Sequence, residues 1–177
     1  YGFYITPTIS GSWSGAPDNN QTINSGALTI SKSASTPGTG NITQADNQLI
    51  AVFDFDAKGE QARVSAVSVN LAFGDDFATG DVTNARLVDM ATGNILMGPV
   101  DGGTDGSAAL DRELDFTSTY IFPVGVTKVG LKVRVAATAG DDGDATDDTI
   151  VAAITAAGDL TVKGQITGST ITAGGSY

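Results

Sequence analysis

The chain has 177 residues, 20 of them acidic against 9 basic, for a net charge of −11, and it contains neither cysteine nor histidine. Disulfides, cysteine or histidine zinc sites, thiol nucleophiles and imidazole-based triads are therefore excluded. The acidic balance also excludes the basic footprint that nucleic acid requires, and favours a divalent cation or a positively charged partner instead.

The length fits one domain with an extended appendage, and a chain of this size buries roughly 70% of its unfolded surface. Glycine appears 23 times, and Thr, Ser, Ala and Val are abundant, while glutamate occurs only at Glu60 and Glu113. That mixture favours strands and turns over helices. No run of 18 apolar residues is present, so no membrane span is expected. The sequence opens on Tyr1 with no signal peptide ahead of it, which suggests that an export signal has been removed or that a longer protein continues beyond it.

Residues 1–25 form a segment of their own. Tyr1, Phe3, Tyr4, Ile5, Ile9 and Trp13 load its beginning with large apolar side chains, and Pro7, Gly11, Gly15 and Pro17 argue against a helix. The segment is either an edge strand of the domain that follows or an extended arm. As an arm, it adds to a neighbouring subunit through Tyr1, Phe3, Tyr4, Ile5 and Trp13. Left undocked, it would be an exposed sticky patch.

The domain proper spans residues 26–177. A short strand is expected over Ala27–Ser33, followed by a loop at Ser35–Asn41. Three long stretches then alternate with the period of a half-buried strand. In the first, Leu49, Ala51, Phe53 and Phe55 oppose Ile50, Val52, Asp54 and Asp56. In the stretch Arg63–Phe73, Val67, Val69, Leu71 and Phe73 point one way. In Thr127–Val135, Val129, Leu131, Val133 and Val135 oppose Lys128, Gly130, Lys132 and Arg134. Between these lie strands at Val82–Met90 and Ile95–Val100, joined by a tight turn at Thr92-Gly93-Asn94. Ala108–Phe116 suits either a strand or one helical turn, and is assigned as strand. Two final strands cover Thr149–Ala156 and Leu160–Ile166, and the Gly/Ser/Thr-rich tail from Gly168 to Tyr177 is a linker or a last edge strand.

Short strands with Gly, Asn and Asp between them are the rhythm of a sandwich. Each apolar face needs a second layer to bury it. The expected core comprises Leu49, Phe53, Phe55, Val67, Val69, Leu71, Phe73, Leu87, Val129, Leu131, Val133 and Leu160.

The order of strand types carries a resemblance. D-N-Q-L-I-A-V-F-D-F-D-A, A-R-V-S-A-V-S-V-N-L-A-F, D-V-T-N-A-R-L-V-D and F-P-V-G-V-T-K-V-G-L-K-V-R-V follow one another as in the immunoglobulin-like modules of large bacterial surface-layer and adhesin-type proteins. The likeness spans residues 26–166, although Val124-Gly125-Val126-Thr127-Lys128 lacks the Lys-Gly pair of the last motif. It implies an all-β immunoglobulin-like antiparallel β-sandwich, an extracellular or cell-surface location, and a structural or adhesive role without catalysis. It assigns no functional residue.

Asp-rich loops are the candidate sites. Asp141, Asp142, Asp144, Asp147 and Asp148 fall in one window, Asp75, Asp76 and Asp81 in another, and Asp101 and Asp105 in a third. Calcium takes six to eight oxygen ligands, and glycine-containing loops let backbone carbonyls turn inward to supply some of them. The spacing is not that of an EF-hand, so solvated acidic loops that aid solubility stand beside the calcium reading. Sequons occur at Asn20-Gln21-Thr22 and Asn41-Ile42-Thr43. Lys128, Lys132 and Arg134 form a basic strip suited to an acidic loop of a neighbour. Glycoside hydrolysis needs paired carboxylates in a cleft, and no such constellation can be named here.

The leading expectation is a structural, self-assembling extracellular protein. It would be a filament subunit or surface-layer module, built from copies of itself and stabilised by calcium. The alternative is an adhesin or carbohydrate-binding module whose partners are cell-surface glycans.

Overall fold

The computed structural model describes residues 26–42, 44–74, 82–102, 111–135 and 149–176. Among them the strands are β1 (Ala27–Lys32), β2 (Ala45–Lys58), β3 (Ala62–Gly74), β4 (Val82–Asp89), β5 (Ile95–Val100) and β6 (Asp111–Phe116). They continue as β7 (Tyr120–Phe122), β8 (Gly125–Val135), β9 (Thr149–Ala153), β10 (Leu160–Gly164), β11 (Thr170–Ile171) and β12 (Gly174–Ser176). The fold is an all-β sandwich. Its first sheet runs β12-β1-β2-β8-β4-β5, and its second runs β11-β10-β3-β6 with β7 and β9 also paired to β3.

Two strands organise these layers. β2 and β8 pair antiparallel along nearly their whole length, with Phe53 opposite Val129 and Ala51 opposite Leu131. β3 is the axis of the second sheet. One of its edges takes β10 and then β9; the other takes β7 and then β6. Short strands laid end to end thus complete a strand of 13 residues. The inner faces of β2, β8 and β3 close on each other, burying Phe53, Phe55, Val67, Val69, Leu71, Leu87, Val129, Leu131 and Val133 in one cluster. Phe55 stacks on Phe122 with ring centroids 4.8 Å apart. Tyr120 meets Phe122 edge-on at 4.9 Å, and offset stacks and edge-on contacts are both favoured by the ring quadrupoles.

The alternation is right in phase for most of the chain and departs from it in three places. Leu49 is half-buried rather than core, because the β2–β8 register shifts between Leu49 and Ala51. Val52 faces away from the core, yet it is fully buried. The segment after β1 folds over it: Thr36 Oγ1 donates to Val52 O at 2.7 Å and accepts from Val52 N at 3.1 Å. In β3, strict alternation back from Val67 would turn Val64 outward. A register shift against β10 absorbs one extra residue, so Val64 and Ala62 face the core and Arg63 faces solvent. A bulge does this by placing two residues opposite one.

The ambiguous stretch ending at Phe116 is a strand, with Leu114 and Phe116 buried. The tail supplies edge strands, and β12 runs parallel to β1 with Gly174 opposite Thr29. Gly175 adopts φ +148°, and a Cβ there would run into the Ile30 carbonyl, a space no side chain could share. Phe55→Ala should cost roughly 3–5 kcal/mol, the usual cost of emptying a large aromatic site. Val126→Ala, at an exposed position, should stay within about 0.5 kcal/mol. Urea unfolding of both variants checks the pair.

Candidate interaction surfaces

The aromatic arm residues Tyr1, Phe3, Tyr4, Ile5 and Trp13 lie outside the described residues. So do Asp75, Asp76, Asp81, Asp105, Asp141, Asp142, Asp144, Asp147 and Asp148. Asp101 is described, and its Oδ1 accepts the Asn84 N–H at 2.7 Å. Among the described residues no three acidic side chains converge to hold a metal ion. Of the sequon at 41–43, Asn41 is exposed in the β1–β2 connection and Thr43 lies outside the described residues.

The two glutamates are kept apart. Glu60 sits just before β3, whereas Glu113 on β6 is in register with Asn70 far along that strand. A rise of about 3.4 Å per residue separates them by far more than the roughly 5–10 Å between paired glycosidase carboxylates.

Glu60 has a structural task instead. It is buried, and its carboxylate receives the Ile166 N–H at 2.7 Å, the Thr167 N–H at 3.0 Å and the Thr167 hydroxyl at 2.6 Å. Gly26 and Gly164 flank it, and a Cβ at either position would run into the Glu60 side chain. The Thr167 hydroxyl, then the Thr167, Ile166 and Gly26 N–H groups, hold the carboxyl below its ordinary pKa against the opposing push of burial. This one side chain ties the start of β3 to the turn after β10.

The outer face of the first sheet carries the basic strip, and the structure adds a member. Arg86 on β4 lies directly opposite Lys132 on β8, and Thr83 opposite Arg134. Five of the nine basic residues therefore share this face, Lys58, Arg86, Lys128, Lys132 and Arg134, together with Asp54 and Asp56. Lys128 Nζ donates to Ser33 Oγ and Ser35 Oγ at 3.2 and 2.9 Å and lies 4.0 Å from Asp54. Arg134 pairs with Asp46 at 3.2 Å. Sequence alone missed Arg86, since nothing in its spacing says which strand lies beside β8.

Along the same face, Gly130 lies between Val52 and Val88 in register. The Met90 side chain lies over the space that a Cβ there would occupy. Beside it Asp89, Met90, Ala91, Val126, Thr127 and Lys128 line an open depression of about 400 Å³. The turn that forms its rim is the expected one: Gly93 has φ +76°, and the Asp89 carboxylate accepts from Ala91 N and Thr92 Oγ1 at 2.8 and 2.9 Å. No known family model matches this chain, and no curated protein does. The surfaces themselves are the basis for any functional reading.

The Glu60 tie makes a pH prediction with a definite sign. Its folded-state pKa is depressed, so its contribution is complete above the unfolded value of about 4.3 and is lost as pH falls through the folded value. Glu60→Gln should melt lower than the parent at pH 7, and the gap should close below about pH 4. Thr167→Val, which removes the strongest donor, should narrow the same gap. Thermal melts from pH 3 to 7 would show this, and a gap independent of pH would remove the charged-carboxylate account.

Proposed function

We propose that this chain is a structural, self-assembling protein of an extracellular surface, a filament subunit or surface-layer module. In this reading the N-terminal arm adds as a strand to the next copy, and the Asp-rich loops bind calcium. The observation that supports it is the placement of the two flanks of the first sheet. The arm precedes β1 in the chain, and beyond β1 that flank holds, among the described residues, only the three of β12. At the opposite flank, β5 is the last strand among the described residues.

Five inter-strand spacings of about 4.8 Å separate those flanks by roughly 24 Å. A donor at one side and an acceptor at the other make a heterologous contact, which propagates unless rotation closes it into a ring. Pro99 offers no N–H to a partner, so Ile95–Met97 is the stretch of β5 open to pairing. Ile95 is half exposed there. Main-chain bonds along such an edge give affinity, and alternate side chains give register.

Deleting residues 1–13 should leave a folded monomer that no longer assembles, as read by sedimentation and negative-stain microscopy. A truncated chain that still polymerises, or that fails to fold, would sink the donor-strand reading. Calcium is tested separately. A ligand held only by the folded state at about 100 times its Kd adds about 2.7 kcal/mol, so chelation should lower the melting temperature. Identical melts in calcium and in chelator would leave the acidic loops as solvated surface.

A further inference from the structure

The exposed apolar side chains of this protein gather at one end. Of the eight large ones exposed among the described residues, only Ile42 and Val151 lie elsewhere. Val124 and Val126 flank Gly125, which is opposite Ala57 where β2 ends. Ile121 is opposite Arg63 where β3 begins, and Ile166 follows Gly164, which is opposite Ala62. Met90 and Ile95 stand on the β4–β5 hairpin, which points the same way, with the Met90 N–H donating to Lys128 O at 2.9 Å. Single exposed apolar residues are ordinary, whereas a gathering of them marks a contact.

On the outer face of the first sheet part of this gathering becomes a site. Val52, Gly130, Val88 and Ile95 stand in register across β2, β8, β4 and β5. Val88 is buried although it faces away from the core. Towards the β2–β3 turn, Met90, Ala91, Val126 and Lys128 open into the depression of about 400 Å³. The Asp89 carboxylate on its rim is turned into the hairpin, where Ala91 N and Thr92 Oγ1 donate to it. A thioether and an ammonium around an apolar hollow suit an aromatic ring, with the sulfur at its edge and the cation over its face.

We infer that this depression is the seat of the chain's own Trp13, with the N-terminal arm folded back across the outer face of the first sheet while the molecule is a single copy. The arm joins the fold at Gly26, at the same end. There Ala27 is opposite Lys58, and Thr29, Asp56 and Val126 stand in one row over β1, β2 and β8. Two strand spacings, about 10 Å, separate the strand that the arm enters from the strand that lines the depression. The 13 residues from Trp13 to Gly26 span up to about 43 Å when extended, and a flexible chain of that length averages about 20 Å. Trp13 is the aromatic residue of the arm nearest to Gly26 in sequence, and Asp18 is the only charged side chain among residues 1–25. The arm therefore brings apolar surface and almost no charge to a molecule of net charge −11. Its tether gives it an effective concentration in the millimolar range, so it outcompetes another copy's arm at micromolar protein. The inference goes beyond the assembly reading: the arm must leave this seat before it can add to another copy, and the seat restrains assembly.

Trp13 is the sole tryptophan, so its fluorescence tests the seat on the full chain without a label. At dilutions where sedimentation shows single copies, the parent's emission should be blue-shifted from that of the urea-unfolded chain and shielded from acrylamide. Val126→Asp and Met90→Ala, both at exposed positions, should keep the parental circular dichroism and lose most of that shift and shielding. Parental emission in the folded variants overturns the seat. A parent already as red and as open to acrylamide as the unfolded chain overturns it too. So does a blue shift that disappears on dilution together with the assembled species, which would place Trp13 on another copy. Deleting residues 1–13 reports on donor-strand assembly and not on this seat, so the two readings fail separately.

Discussion

The structure depends on sealing three one-faced strands against each other. β2, β8 and β3 each present a row of apolar side chains on one side and polar ones on the other, and no disulfide is available to hold them. Fully burying a Val, Leu or Phe side chain is worth about 1.5–3 kcal/mol, and the two sheets achieve this only face to face. Phe55 and Phe122 mark where the seal is tightest, one ring from each sheet in a stack. The rest follows from it. The short strands β6, β7, β9 and β10 complete the hydrogen bonds of β3, whose backbone groups would otherwise be left unpaired at the edge of a buried layer.

Once the inner faces are committed to the core, the outer faces are what the molecule offers to others, and both are of mixed charge. Lys58, Arg86, Lys128, Lys132 and Arg134 share the first sheet with Asp54 and Asp56, whereas Glu113 and Asp115 share the second with Arg63 and Lys163, which are themselves cross-strand partners. Which charges meet is set by pairing, since β4 and β8 are neighbours and β6 lies in the opposite layer. A strongly acidic chain thereby places an arginine, Arg86, directly beside a lysine, Lys132. Its bulged strand orients the arginine through Asn84 rather than through a carboxylate that would neutralise it.

Glu60 shows the opposite use of charge. It is a buried carboxylate that receives its hydrogen bonds from the turn at Ile166 and Thr167 and from Gly26. Two glycines leave the room it needs. In sequence it is one of only two glutamates and invites a catalytic reading. In the fold it is a clasp between the entry to β3 and the end of β10.

The sequence by itself determined the class of fold and most of its core, because alternation over nine to eleven residues admits one buried face and that face is legible as a period of two. Phe53, Phe55, Val69, Leu131 and Val133 are buried for that reason alone. It also determined the turn at Thr92–Asn94, where glycine supplies a conformation other residues resist. Pairing decided the rest. The bulge in β3 that turns Val64 inward, the loop that seals Val52 on the outer face, and the parallel docking of β12 on β1 all depend on which strands lie side by side. So does the meeting of Arg86 with Lys132, 46 positions apart in the chain. Periodicity is a local property and says which face of a strand is wet or dry. Adjacency is set by the packing of the whole chain, and only adjacency brings two charges from distant strands to one place on a surface.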